Sequence, residues 1–271
     1  MSKVWFVTGS SRGLGRSFVE AALSRGDRVA ATARTTERLD ELVATYGDAV
    51  LPLALDVTDK AAVFDSVKQA NDYFGRLDVI VNNAGYGLSG AVEELTEQDL
   101  RDQLETNFFG PVWVVQAALP YLCAQGSGHV IQISSVAGLT GFPTGGAYCA
   151  SKWALEGLSE SLAHEVAGFG VKVTVVEPGG YATEGATGAV LAGPDPRYDG
   201  LREAFMEYAK TLDYGDPAAA GRALLTLADT DNPPLRVFFG SQGLPIVQQA
   251  YTDRLKTWSD WQDLALEAHG V

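Results

Sequence analysis

Short apolar runs rich in β-branched residues alternate along most of the chain with longer stretches whose apolar residues recur at helical spacing, from the N-terminus to about residue 240. The runs predict strands over 3–8, 28–33, 50–56, 79–82, 129–134, 172–177 and 236–240. The helices between them are expected to begin near Leu14, Thr36, Asp59, Thr96, Tyr148 and Asp216, several after a Ser, Thr or Asp suited to capping a first turn. Most strand runs are continuously apolar rather than alternating, as they are when helices cover both faces of a parallel sheet. The expected fold class is therefore α/β, a doubly wound parallel sheet of about seven strands with helices on both faces.

No repeat or low-complexity linker divides residues 1–240, which read as one domain. Within it, 181–214 breaks the rhythm, with Gly185, Gly188, Gly193, Pro194 and Pro196 beside Val190, Leu191, Tyr198, Phe205, Met206 and Tyr208. An irregular insertion of that length reads as a lid. Residues 241–271 read as a helical tail in which Val247, Tyr251, Leu255, Trp258 and Trp261 recur at near-helical intervals. That face is expected to dock onto its own domain; a subunit contact or a wall of the substrate site is the alternative.

Charge narrows the function. The chain has 271 residues, 20 basic and 34 acidic side chains and a net charge of −14, a balance that argues against a nucleic-acid partner. The average hides a basic stretch, however: residues 1–38 hold Lys3, Arg12, Arg16, Arg25, Arg28, Arg34 and Arg38 against Glu20, Asp27 and Glu37. Cys123 and Cys149 are far apart, and His129, His164 and His269 are isolated, so neither a disulfide framework nor a metal site is expected. The N-terminal apolar run is too short for a signal-peptide core, and the longest one, 111–122, is interrupted by Gln116 and Pro120. No membrane partner and a cytoplasmic location are expected.

Directly after the first strand comes Thr8-Gly9-Ser10-Ser11-Arg12-Gly13-Leu14-Gly15, opening a helix. Gly9 suits a tight strand-to-helix turn, Gly13 close approach to a pyrophosphate, and Gly15 the packing of helix on sheet. This is a Rossmann-type dinucleotide signature in the right context. A carboxylate at the end of the second strand would bind an adenosine ribose and repel a 2′-phosphate, but the chain has Ala33-Arg34 there. Arg34 with Arg12 can chelate that phosphate, so NADP(H) is expected over NAD(H). Asp56 and Val57, after the third strand, are then free for the adenine.

Tyr148 and Lys152 lie four apart on one expected helix, so they share a face. An ammonium beside a phenol favours the phenolate and brings a side chain of ordinary pKa about 10 toward useful acid–base work. Ser135, at the carboxyl end of a strand, can hold a carbonyl oxygen beside that phenol. Asn107, an amide among apolar neighbours, serves either structure or a proton relay to Lys152.

With Asp56-Val57, Asn82-Asn83-Ala84-Gly85, Tyr148-Cys149-Ala150-Ser151-Lys152, and Pro178-Gly179 with Thr183, these residues resemble the short-chain dehydrogenase/reductase family, classical subfamily, over about residues 3 to 240. The resemblance implies that Tyr148 is the catalytic acid or base. Lys152 lowers its pKa and binds the nicotinamide ribose, Ser135 orients the carbonyl, and Asn107 supports the relay. It further implies that Gly9, Ser11, Arg12, Gly13, Leu14, Gly15, Arg34, Asp56, Val57, Asn83, Ala84 and Gly85 contact cofactor, with Pro178, Gly179 and Thr183 framing the nicotinamide. It points to carbonyl-reductase or hydroxysteroid-dehydrogenase-like members, and to a homodimer or homotetramer paired through the helices carrying Asn107 and Tyr148. Tyr86, Leu88, Phe142 and Tyr181 are the expected substrate contacts, with Leu139 and Pro143 nearby. Their apolar character suggests a small hydrophobic carbonyl compound or alcohol. A nucleotide-sensing module on the same fold is the alternative reading; it has no need of Tyr148, Lys152 and Ser135 together.

Overall fold

A computed structural model describes residues 2–183 and 190–270. In chain order its main elements are β1 (Val4–Val7), α1 (Gly13–Ser24), β2 (Arg28–Ala33), α2 (Asp40–Tyr46), β3 (Val50–Ala54), α3 (Lys60–Phe74), β4 (Val79–Asn82), β5 (Leu88–Ser89), α4 (Glu97–Leu104), α5 (Gly110–Gln125), β6 (Gly128–Ile133), α6 (Gly146–Val166), β7 (Val171–Pro178), β8 (Val190–Leu191), α7 (Asp199–Lys210), α8 (Pro217–Asp229), β9 (Arg236–Phe239), α9 (Gly243–Asp260) and α10 (Gln262–His269). Seven strands form a sheet in the order β3-β2-β1-β4-β6-β7-β9, every pair parallel. The order reverses between β1 and β4, which opens a crevice at their carboxyl ends.

Side-chain alternation along each buried strand feeds two cores. Trp5 and Val7 join Phe18, Leu39, Leu42 and Leu224 on the face covered by α1, α2 and α8. Val4 and Phe6 join Val63, Val67, Val114, Leu122 and Leu162 on the face covered by α3, α5 and α6. Strands buried on both sides have no solvent-facing positions, which is why they read as unbroken apolar runs. The expected caps are present: Asp59 accepts from Ala62 N, Thr96 from Asp99 N, and Asp216 from Ala218 N and Ala219 N.

Two segments differ from expectation. The insertion at 181–214 is not irregular throughout: β8 pairs with β5, and α7 is a helix of 12 residues. Gly193, Pro194 and Pro196 cluster ahead of a stretch whose Leu201, Phe205 and Tyr208 keep helical spacing. Gly185 and Gly188 lie outside the described residues. The tail forms α9 and α10, and its apolar stripe is exposed except at the half-buried Val247. Arg254 stacks on Trp153 of α6 and on Tyr251, whereas Leu255, Trp258 and Trp261 stay exposed. Periodicity shows that these residues share a face; it carries no information about what covers it. No described helix is long and apolar enough to cross a membrane.

Candidate active site

The glycine loop is built by backbone constraints. Gly9 has φ +69°, and a Cβ there would stand 2.9 Å from Ala84 Cα. Ser10 N donates to Thr32 O on β2 at 2.8 Å, and Ser10 Oγ to Val7 O at 2.9 Å. Asn83 Nδ2 donates to Thr8 O and Gly9 O at 2.9 and 3.1 Å, while Thr8 Oγ1 accepts from the amides of Asn83 and Ala84. Asn83 and Ala84 thus brace the loop after β1 against the loop after β4. A Cβ on Gly15 would come within 2.3 Å of both Gly9 O and Asn83 Nδ2, so only glycine lets α1 start this close.

Gly13, at φ +58°, begins α1 with open space above it except for the Thr183 side chain at 3.5 Å. The first turn of α1 has no acidic residue and no side-chain cap. Its amides therefore present the positive end of the helix toward that space. Ser11 and Leu14 are half-buried, Leu14 against the core, and Arg12 is exposed. Because Ser10 is tied to Thr32, Arg12 and the exposed Arg34 each lie two residues from that bond. Asp56 is exposed and uses Oδ1 on Thr58 N and Oγ1; Val57 is buried against Gly110.

At the reaction end, Ser135 follows β6 and its Oγ accepts from Ala137 N at 3.1 Å, which turns the chain. Lys152 is buried on α6, with Nζ donating to Ile133 O at 2.8 Å and standing 5.8 Å from the centre of the Tyr148 ring. Burial lowers Lys152 to about 8, opposed by the charge of Glu156. For Tyr148 the direction differs from expectation. Burial pushes the phenol up, and what pulls it back is the Ser135 hydroxyl. Desolvation of the phenolate outweighs the hydrogen bond from Ser135.

Asn107 is fully buried in a π-helical turn (Glu105–Phe109) joining α4 to α5. Its Oδ1 accepts from Tyr86 N, and its Nδ2 donates to Tyr86 O and to Ser151 Oγ at 3.0 and 3.1 Å. Ser151 Oγ in turn donates to Tyr148 O at 2.7 Å. The amide thus locks the Tyr86 segment to the helix turn holding Tyr148. Gly85 lies between: a Cβ there would stand 3.0 Å from Asn107 Oδ1 and 3.7 Å from Lys152 Nζ.

Among the expected substrate contacts, Tyr86 is half-buried and Phe142 is at the surface, stacked on Phe205 of α7 at 5.7 Å. Leu88 is buried where β5 pairs with β8, and Tyr181 is buried with its ring over Gly215. Pro178 ends β7, and Gly179 and Gly180 are held by Phe239 O and by Gln242 Oε1.

Sequence reasoning missed the supporting roles of Gln103, donating to Tyr86 O, of Ser151, of Gln242 and of the Glu94–Arg202 pair. Glu94 Oε1 accepts from Asp195 N and Arg202 Nη1, both at 2.6 Å, and Oε2 accepts from Ala91 N. It clasps the segment 195–202 to the loop ahead of α4. The Asp195 amide first, then Arg202, holds this carboxyl below the ordinary glutamate value. A depressed carboxylate stabilises its partners above its unfolded pKa of about 4.3 and releases them as pH falls through its lower folded value. Amide exchange across 195–202, corrected for intrinsic rates, should therefore accelerate below about pH 4. It should accelerate at pH 7 in Glu94→Gln; protection independent of both changes would remove the clasp.

No group of His, Cys, Asp and Glu suited to a metal occurs among the described residues. His129 is buried against Thr174 and held to about 4 by desolvation, so it is neutral.

Against known proteins, residues 3–190 match the family model for short chain dehydrogenase. Oxidoreductase BOA17 of Botryotinia fuckeliana is 42% identical over 98% of this chain and 99% of its own length. The crystal structure of a short-chain dehydrogenase from Streptomyces avermitilis superposes with a TM-score of 0.93 at 40% identity, covering 98% of this chain and 99% of that one. An alcohol dehydrogenase from the archaeon Thermococcus sibiricus, complexed with 5-hydroxy-NADP, superposes with a TM-score of 0.74 at 27% identity, covering 90% of this chain and 98% of that one. With the family model matched over residues 3–190, a relative 42% identical over almost the whole chain and the seven-stranded parallel sheet, the chain belongs to the short-chain dehydrogenase/reductase family and is an oxidoreductase.

Proposed function

We propose that the protein is an NADP(H)-dependent oxidoreductase that interconverts a ketone or aldehyde and an alcohol on a hydrophobic substrate. The observation that carries this reading is the convergence of Tyr148, Ser135 and Lys152 at the carboxyl end of the sheet, beside the braced glycine loop. The residues fit a nicotinamide dinucleotide: an uncapped helix N-terminus at Gly13, glycines whose Cβ atoms would close the loop, and two arginines beside the end of β2.

When bound, the cofactor supplies or takes up the hydride. In the reductive direction the Ser135 hydroxyl orients the carbonyl oxygen and Tyr148 Oη gives it a proton. Lys152 stabilises the phenolate left behind, and Asn107 keeps the Tyr86 segment and the Tyr148 turn in register. The family resemblance carries the roles of Ser11, Leu14, Asp56, Val57, Pro178, Gly179 and Thr183 around the cofactor. Phe142 with Phe205, and Tyr86, supply an apolar wall, with Leu88 and Tyr181 packed behind it. Pairing of subunits through α4–α6, where Leu100 and Trp153 are exposed, belongs to the same proposal. Sedimentation velocity should return a dimer or tetramer.

The reading is tested by following reduced-nicotinamide absorbance with a panel of apolar ketones, aldehydes and alcohols and both cofactors. Turnover is expected to favour NADPH. Arg34→Asp should lower the NADPH-to-NADH ratio of kcat/KM by at least about tenfold, roughly 1.4 kcal/mol. An unaltered ratio would refute the assignment of Arg34 to the 2′-phosphate.

A further inference from the structure

Behind the reaction centre lies a buried ionic cluster that the chemistry above does not use. Glu156 is one helical turn beyond Lys152 on α6 and so shares its face. Its side chain is 6% exposed, and Arg236 Nε on β9 donates to its Oε2 at 3.0 Å. The same Nε stands 3.7 Å from Oε1 of Glu177, 1% exposed near the end of β7, and Arg236 Nη2 reaches the half-exposed Glu160 at 2.8 Å. On the other side Glu156 touches the turn that Ser135 caps: a Cβ on Gly138 would meet Glu156 Cγ and Oε1 at 3.0 and 3.1 Å and Ser134 Oγ at 2.7 Å. Ser134 Oγ, Glu156 Oε1 and Glu177 Oε1 are each buried without a hydrogen bond of ordinary geometry.

The groups facing this cluster are thus Lys152, Glu156 and Glu160 from α6, Ser134 just after β6, Glu177 from β7 and Arg236 from β9. One guanidinium shared among three carboxylates, two of them buried, does not keep both buried ones ionised. We propose that Glu156 is a positioning residue of the reaction: its carboxylate keeps the Lys152 ammonium charged and seats the Ser135 turn, while Glu177 beside it carries the proton that relieves the crowded pair.

This rests on the reading of Tyr148 and Lys152 as the acid–base machinery. The directions agree with the geometry. Burial, then the neighbouring charge of Glu156, pushes Glu177 up to about 7. Burial also raises Glu156, opposed by Ser134, Arg236 and Lys152, and Glu156 is the group that holds Lys152 up against its own desolvation.

The alternative is that the cluster merely bolts α6 to the edge strand. The two are separated by the pH profile of kcat/KM for NADPH-dependent reduction, read alongside the thermal midpoint. Reduction needs Tyr148 protonated and Lys152 charged, and a nearby carboxylate favours both. Glu156→Gln keeps an acceptor for Arg236 but removes the charge, so both protons leave at lower pH. The alkaline limb should then move down by about one pH unit. Glu156→Asp, which keeps the charge, should leave the limb near its wild-type position even if kcat falls. Glu177→Gln, removing a charge that forms only as pH rises, should move the limb in the same direction by less.

Folded Glu156→Gln with an unmoved limb overturns the proposal; if that variant does not fold, an unmoved limb in Glu177→Gln does so. Full turnover in Tyr148→Phe would instead overturn the underlying acid–base reading, whatever the Glu156 variants show.

Discussion

Replacing Tyr148 with Phe is expected to lower turnover by about 10²–10⁴-fold while NADPH still binds. The substitution removes one oxygen and keeps the ring, so the position of Lys152 Nζ, 5.8 Å from the ring centre and bonded to Ile133 O, is retained. The glycine loop is untouched, since its struts come from Thr8, Ser10, Asn83 and Ala84. What is lost is the hydroxyl proposed as the proton donor for the carbonyl oxygen. The phenol suits the reductive direction because burial keeps it protonated across the neutral range. Fluorescence titration with NADPH and initial rates on one apolar ketone measure the two properties separately. Loss of both together would mean that Tyr148 builds the cofactor site rather than the reaction.

The second large effect belongs to Gly15→Ala. An added Cβ would stand 2.3 Å from the Gly9 backbone carbonyl oxygen, which has no side-chain freedom to yield, and from the Asn83 side-chain Nδ2, which is tied to Thr8 O and Gly9 O. Relief requires α1 to withdraw from the loop, which breaks the two bonds from Asn83 to Thr8 O and Gly9 O and displaces the helix N-terminus from the position proposed for it beside the cofactor. Overpacking of this kind costs about 1–3 kcal/mol, which for a chain of this length lowers the melting midpoint by about 3–10 °C. Cofactor affinity should fall at least about tenfold, or about 1.4 kcal/mol. Gly157→Ala is the control: it lies mid-helix on α6 where a Cβ meets nothing, and alanine is the better helix former. Equal losses at both positions would contradict the packing argument.

The main sheet was legible because its strands are buried on both sides. The run expected at 172–177 is β7, Val171–Pro178, and that expected at 79–82 is β4 to the residue. β5 and β8 were not legible: each has two residues and exists only through pairing across about a hundred positions of chain. The same holds for the Glu94 clasp, whose partner Arg202 stands 108 residues away, and for Glu177, which reads as one more residue in an apolar strand.

Spacing placed Tyr148 and Lys152 on one face because helical geometry is local. The direction of the phenol's shift was not local, since it follows from how much protein surrounds the oxygen. Asn107 was singled out as an amide needing partners. The partners themselves, both polar groups of the Tyr86 backbone and Ser151 Oγ, depend on a π-helical turn that no periodicity announces.

The most direct test follows deuterium from NADPH labelled at the nicotinamide C4 during reduction of an apolar ketone by the wild-type chain. The account predicts label on the carbinol carbon of the alcohol, none exchanged into water, and labelled alcohol formed about 10²–10⁴-fold more slowly with Tyr148→Phe. Tight NADPH binding with no labelled product from any ketone or aldehyde, or equal labelling by wild type and Tyr148→Phe, would contradict it.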